Sequence, residues 1–298
     1  MPEEALLGGF SDSTFQLTGN GLFNRNGGRF GSDWAIIVDE KPGTISNPPQ
    51  RFPIETKAEF SGYLDRMQEL GATSYRMSAE WGEIEPEQGK IDQSNLDVLL
   101  WQLREAKKRD FNIVLTLSHN TLPQWLSEKG GWRNRQSVKH FKDYVEALVP
   151  QVAKYVDVYN TVNEPMVQAT LGEYHGYYPP FNKGNIAGMF SVIFNMASAH
   201  NEARKIIKKH DPTAKVGVSN HLVWFEPIDQ KIKNRAANGV VNWFWNLIPL
   251  TLTTKNSDVI LVNFYHHLVN RFQLDLRQGH IKDLTGVFGT GSPISEFS

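Results

Sequence analysis

At 298 residues, with a 40% hydrophobic composition and 17 Phe, 8 Trp and 9 Tyr, the chain has ample material for a large core, and its length suits one α/β barrel of roughly 250 residues. A net charge of -1 leaves no overall electrostatic footprint for nucleic acid or an anionic membrane, and the absence of cysteine excludes disulfides, thiolate chemistry and cysteine-based zinc sites. The acidic start Met1-Pro2-Glu3-Glu4 lacks the pattern of a signal peptide, and the most apolar stretch, Trp243 to Leu252, is shorter than the roughly 18 residues of a membrane span, so a soluble cytoplasmic protein is expected.

In chain order, short apolar runs alternate with longer helical patterns. A weak first strand is expected over Ala5 to Phe10. A helix at Ala58 to Leu70 stops at Gly71 and is followed by a strand at Ser74 to Met77. The helix Asn95 to Arg109, with Leu96, Leu99, Leu100 and Leu103 in register, leads into the strand Asn112 to Leu117. Val138 to Tyr155 reads as a helix before the strand Val156 to Val162. A further helix ends near His210 at Asp211-Pro212, and the strands Lys215 to Ser219 and Val259 to Asn263 complete the series. Strands and helices alternating in this way imply βαβ units and a parallel sheet. Gly8-Gly9-Phe10-Ser11 is no phosphate-binding fingerprint, which argues against a doubly wound sheet.

A barrel instead places reactive groups at the C-terminal ends of its strands. Here those ends carry Gln16 shortly after the first, Arg76 on the second, His119 after the third, Asn163-Glu164 at the fourth, Asn220-His221 at the fifth, and Asn263 with Tyr265 at the sixth. Planar hydrogen-bonding groups, flat aromatics and a carboxylate are what a carbohydrate site needs. Gln16, His119 and Asn163 supply the first, Trp34, Trp81, Trp125, Trp132 and Trp224 are candidates for the second, and Glu164 is the third. A metal site on His266-His267 is disfavoured, because adjacent strand residues face opposite ways. No cofactor is expected.

The segment Tyr159-Asn-Thr-Val-Asn-Glu-Pro165 resembles the T-x-N-E-P motif of family 1 glycoside hydrolases, the retaining β-glycosidases. Tyr75-Arg-Met-Ser-Ala-Glu-Trp81 is similar to the family's R-x-S-x-E-W, and His119-Asn-Thr-Leu-Pro-Gln-Trp125 to its H-x-T-L-P-x-W. Gly131-Trp132, Asn195-Met-Ala-Ser-Ala-His200 and Val262-Asn-Phe-Tyr265 follow in the family's order. The resemblance implies a (β/α) TIM-type barrel, incomplete, with about six of eight units in one domain over 1–298. It implies hydrolysis of β-glycosidic bonds with Glu164 as general acid/base. Gln16, His119, Asn163, Trp125 and Asn263 would hold the sugar, Asn163 at its 2-hydroxyl, while Arg76 and Tyr265 match residues that orient the nucleophile.

The sequence also departs from the family pattern. The nucleophile's T-E-N-G motif does not occur, and after Tyr265 the only Glu is Glu296, in Ser295-Glu-Phe-Ser298. Gly82-Glu83 stands where the family has Ser-Arg. Weak activity is therefore expected, with a non-catalytic sugar-binding protein or one subunit of a split glycosidase as the alternative. Loss of a negative neighbour, with Arg76 left uncompensated, should lower the pKa of Glu164. The partner expected is a β-glycoside or oligosaccharide, without nucleic acid or membrane. An open barrel calls for cover from a second copy or a second polypeptide, with Trp243, Phe244, Trp245 and Leu247 near the contact.

Overall fold

The computed structural model describes residues 8–18, 31–40, 54–270, 272–275 and 280–284. Strand β1 (Gly9–Ser11) leads into the short helices α1 (Thr14–Thr18) and α2 (Asp33–Glu40). Next comes α3 (Lys57–Glu69), which begins with a capping box. Thr56 accepts from the Glu59 amide, and the Glu59 carboxylate reaches back to the Thr56 amide, satisfying two otherwise unpaired donors. Gly71, at a φ of 80°, ends that helix region in the left-handed conformation. The chain continues through β2 (Ser74–Ser78), α4 (Trp81–Ile84), α5 (Gln93–Lys107), β3 (Asn112–Thr116) and α6 (Gln124–Glu128). Helix α7 (Gln136–Val152), β4 (Val158–Asn163), α8 (Pro165–Ala169) and the 25-residue α9 (Ile186–His210) follow. The last units are β5 (Lys215–Pro227), α10 (Ile232–Asn242), α11 (Ile248–Thr254), β6 (Leu261–Asn270) and the antiparallel pair β7 (Phe272–Asp275) and β8 (His280–Leu284).

Six strands form one sheet in the order β1-β2-β3-β4-β5-β6, every neighbouring pair parallel. A strictly sequential order means that each crossover steps the same way. With right-handed crossovers all the helices then fall on one face, and the sheet curls around its other face. A doubly wound sheet would reverse direction partway. This is an incomplete (β/α) barrel.

Alternation along the strands sorts the side chains. On β2, Tyr75 and Met77 are buried in the hydrophobic core, and Tyr75 lies against Phe60 of α3 and against Phe111. The intervening Arg76 falls on the inner face. Helix α7 buries Phe141, Tyr144, Val145, Leu148, Val149 and Val152 as one stripe, with Tyr144 stacked on the fully buried Trp81.

The strands agree with expectation through β4. The expected start of the first strand lies outside the described residues, which begin at Gly8. Beyond β4 the structure differs, because β5 and β6 continue well past the barrel rim and pair from Ser219↔Leu261 to Pro227↔Asn270. A bulge between Leu222 and Val223 leaves Tyr265 as the extra residue on β6. Helix α10 and the π-helical turn Trp243–Leu247 fasten to this extension. Asn246 accepts from the Val223 amide and donates to its carbonyl, Asn238 donates to the Phe225 carbonyl, and Trp245 Nε1 donates to the His221 carbonyl. Of the apolar residues expected at a contact, Trp245 is buried and Phe244 packs half-buried on Phe190, while Trp243 and Leu247 are exposed. No helix among the described residues is long and apolar enough to cross a membrane.

Candidate active site

The inner ends of β2, β4 and β6 converge on one network. Arg76 donates to Asn263 Oδ1 at 2.9 Å, to Asn163 Oδ1 at 2.5 Å and to Thr116 Oγ1 at 3.3 Å. Asn263 in turn donates to Glu164 Oε1 at 2.6 Å and to Asn163 Oδ1 at 3.2 Å. Four of the residues expected at the site thus meet, and the Asn263 amide links the guanidinium to the carboxyl group.

Glu164 stands between β4 and α8 with φ 48° and ψ 63°. A left-handed backbone is unusual for glutamate and directly precedes Pro165, which itself disfavours helical geometry at that position. The strain is held by the Glu164 amide on the Ser219 carbonyl at 2.8 Å and by the Asn163 amide on the Ser118 carbonyl at 3.0 Å. Strain of this kind is common where a side chain must be aimed.

Burial raises the pKa of Glu164, against the opposing pull of the Asn263 hydrogen bond, the Arg76 charge and the Asn163 hydrogen bond. Arg76 acts in the lowering direction expected from the sequence, and burial, the largest cause, leaves the net shift upward from the ordinary carboxylate value. Arg76 itself is lowered, first by burial, with Glu164, Tyr265 and Asp12 opposing. The pKa of His119, in the loop after β3, is pushed down to about 3 by burial and then by the Arg76 charge. Its Nδ1 is buried without a hydrogen-bond partner. His119 is therefore a neutral imidazole, able to exchange hydrogen bonds with a hydroxyl.

Tyr265, placed by the bulge, is electrostatically coupled to both Glu164 and Arg76, and its ring lies 5.6 Å from that of His221. Gln16 lies shortly after β1, on α1, and it is exposed. Trp125 donates to the Glu85 carbonyl and packs edge-on to Trp81 and His140. Trp81 and Trp132 belong to the core. Asn220 bonds to Thr253 of α11, and His221 pairs with His266 at 3.3 Å, while His267 turns to Glu226.

Sequence reasoning missed Tyr178, whose pKa is raised to about 12 by burial and then by the Glu164 charge. Its ring meets Trp34 edge-on at 5.0 Å, which ties α2 to the site. The cluster Tyr174, Tyr177, Tyr178 in one short segment was the available signal. Asn195 and His200, from the Asn-Met-Ala-Ser-Ala-His segment, act structurally. Asn195 donates to the Trp132 carbonyl, and His200 pairs with Thr161 on β4.

The glycosyl hydrolase family 1 model matches residues 1–255. The chain belongs to glycosyl hydrolase family 1. Beta-glucosidase A of Acetivibrio thermocellus is 31% identical over 169 residues, covering 56% of this chain and 38% of that protein. The 1,4-beta-D-glucan glucohydrolase of Thermotoga neapolitana is 26% identical over 281 residues, covering 92% and 65%. A solved structure of the beta-glycosidase from Pyrococcus horikoshii superposes with a TM-score of 0.77 at 26% identity, over 92% of this chain and 64% of that one. The chain thus spans less than two thirds of the length of these family 1 relatives, and its barrel is the corresponding part of theirs.

Proposed function

We propose that the chain carries the acid/base half of a β-glucosidase-like site, with Glu164 protonating the departing glycosidic oxygen. The observation that carries this reading is the Asn263–Glu164 contact within the Arg76 network, where burial favours the protonated carboxyl group. An acid that keeps its proton above the ordinary carboxylate range is what leaving-group protonation requires. Asn163 would hold the sugar's 2-hydroxyl, with the neutral His119 and Gln16 on neighbouring hydroxyls and Trp125 beside the ring. Arg76 and Tyr265 would set the electrostatics at the anomeric carbon.

A retaining mechanism needs a second carboxylate roughly 5–5.5 Å from the first. Among the described residues, Glu164 is the only carboxylate hydrogen-bonded into the Arg76 network. This supports weak turnover by the chain acting alone, and a role as one part of a two-chain glycosidase as the second reading. The test is hydrolysis of a panel of aryl β-glycosides and an unactivated disaccharide by the parent and by Glu164→Gln. The variant should lose about 10²–10⁴-fold in kcat/KM on the disaccharide and far less on substrates with good leaving groups. Equal activity of parent and variant on the disaccharide would remove Glu164 from the mechanism.

A further inference from the structure

From Ile232 to Leu247 the chain runs as one continuous helical rod, α10 followed by the π-helical turn. One side is pinned to the protein through Asn238, Val241, Trp245 and Asn246. The other side exposes Ile232, Val240, Trp243 and Leu247, at 85%, 62%, 56% and 46% of their surface. At about 100° per residue these four fall within one narrow arc. A surface helix normally turns its apolar stripe inward and its polar face outward, whereas this one is fastened inward largely through asparagines and turns an apolar arc outward.

The charge pattern singles out the same segment. From Gln230 to Ser257 there is no Asp or Glu, but there are four cations, Lys231, Lys233, Arg235 and Lys255, in a chain whose net charge is -1. Lys231 pairs with Asp229 just ahead of the helix. Lys233 and Arg235 are exposed and form no ion pair among the described residues, and they lie on either side of the apolar arc. The near-zero charge of the whole chain conceals this local segregation.

We propose that this face is a peripheral docking surface for an anionic phospholipid bilayer. Ile232, Val240, Trp243 and Leu247 enter the headgroup boundary, while Lys233 and Arg235 meet lipid phosphates. An apolar arc flanked by cations is the pattern of a helix lying in a membrane interface, and an indole such as that of Trp243 favours the headgroup level. A second copy of the chain fits less well, since two such faces laid together bring cations into contact with no acidic residue in the segment to answer them. Trp245 and Asn246 fasten the rod to β5 at His221 and Val223, and His221 lies opposite Asn263 in the β5–β6 register. A docked bilayer would therefore lie beside the rim that carries Glu164. The proposal does not depend on the glycosidase reading.

The test is co-sedimentation of the full chain with vesicles of phosphatidylcholine alone and of phosphatidylcholine mixed with phosphatidylserine. Binding to the mixed vesicles is expected, weakening as salt is raised. A bilayer-facing cation contributes about fivefold to affinity, so the double variant Lys233→Gln/Arg235→Gln should bind at least tenfold more weakly. Trp243→Ser should also weaken binding while leaving the circular dichroism and Tm unchanged, since that side chain is largely exposed. Failure of the parent to sediment with the mixed vesicles would overturn the proposal, as would equal binding by the parent and both variants. A dimer that Trp243→Ser dissociates, without lipid binding, would assign the face to a second copy instead.

Discussion

At Glu164 two local preferences are overridden together, the aversion of a glutamate to positive φ and that of a residue before proline to helical geometry. Such a conformation costs on the order of 1–3 kcal/mol, and what it secures is the position of one carboxyl oxygen against Asn263. With Oε1 accepting from that amide, the transferable proton belongs on Oε2. In the acid role proposed for Glu164 the protonated form is the active one, and its pKa is raised by burial, so kcat/KM should fall as pH rises through that raised value. In Glu164→Gln this alkaline limb should vanish. Asn263 opposes burial by stabilising the ionised carboxylate, so Asn263→Ala should move the limb to higher pH. Loss of positioning should lower kcat by roughly ten- to a hundredfold. A pH–rate series on one aryl β-glucoside for the three proteins checks both expectations. The meeting of Glu164, Asn163 and Arg76 was legible in the sequence because their motifs fall on β2 and at the end of β4. The burial that raises the Glu164 pKa was not, because charges can be counted in a sequence, whereas burial depends on how tightly three strand ends close around the group.

At the scale of elements, the departure Gly82-Glu83 has a packing explanation. The backbone of Gly31 lies directly against α4, and a Cβ on Gly82 would fall 2.6 Å from the Gly31 carbonyl oxygen. Glu83 accepts from the Gly31 amide at 3.1 Å, and the Gly31 carbonyl accepts from the Gln124 amide at the start of α6. Restoring serine at this position therefore costs stability, because two backbones, rather than a flexible side chain, would have to separate. Gly82→Ser should destabilise by about 1–3 kcal/mol and lower Tm by several degrees, as measured by thermal denaturation at fixed pH. The helices α3, α5, α7 and α9 were readable from their apolar spacing and stop signals, and side-chain caps at Thr56, Asp92 and Asn185 secure three of them. The extension of β5 and β6 was not. Asn220-His221 reads as a strand end, yet the strand continues because α10, through Asn238, and the π turn, through Asn246, supply it with long-range partners. Gln16 lies shortly after β1, as expected, but on a helix that the sequence did not announce. Thr14 bonds to Ser78 on β2 through both its amide and its hydroxyl, which folds the residues after β1 into a helix.

Across the whole molecule, buried ionisable groups pull stability in opposite directions with pH. Burial raises Asp12, Asp33 and Glu80 each to about 7. The native state therefore holds protons that the unfolded chain has released, and this contribution is lost as pH rises from about 4 to about 7. Burial lowers His119 to about 3 and His200 and His221 to about 4, so the histidine contribution is lost as pH falls below about 6.5. Between these limits the two sets largely offset each other. Removing one member should expose the other set. Asp33→Asn keeps the Oδ1 that accepts from the Leu122 and Trp34 amides but cannot ionise. Its Tm relative to the parent should therefore rise from about pH 4 to about pH 7 and level off above it, and a constant difference would show that Asp33 does not titrate in this window. The strand order has its own consequence for how such a molecule comes into being. Each strand after β1 pairs with the one made immediately before it. A chain emerging from the ribosome can thus lay down every new unit on a finished neighbour, once the long connection from β1, ending at Ser11, to β2, starting at Ser74, has closed. Assembly proceeds as layers are added, in the direction of synthesis, and β6, made last of the six, is the growing edge.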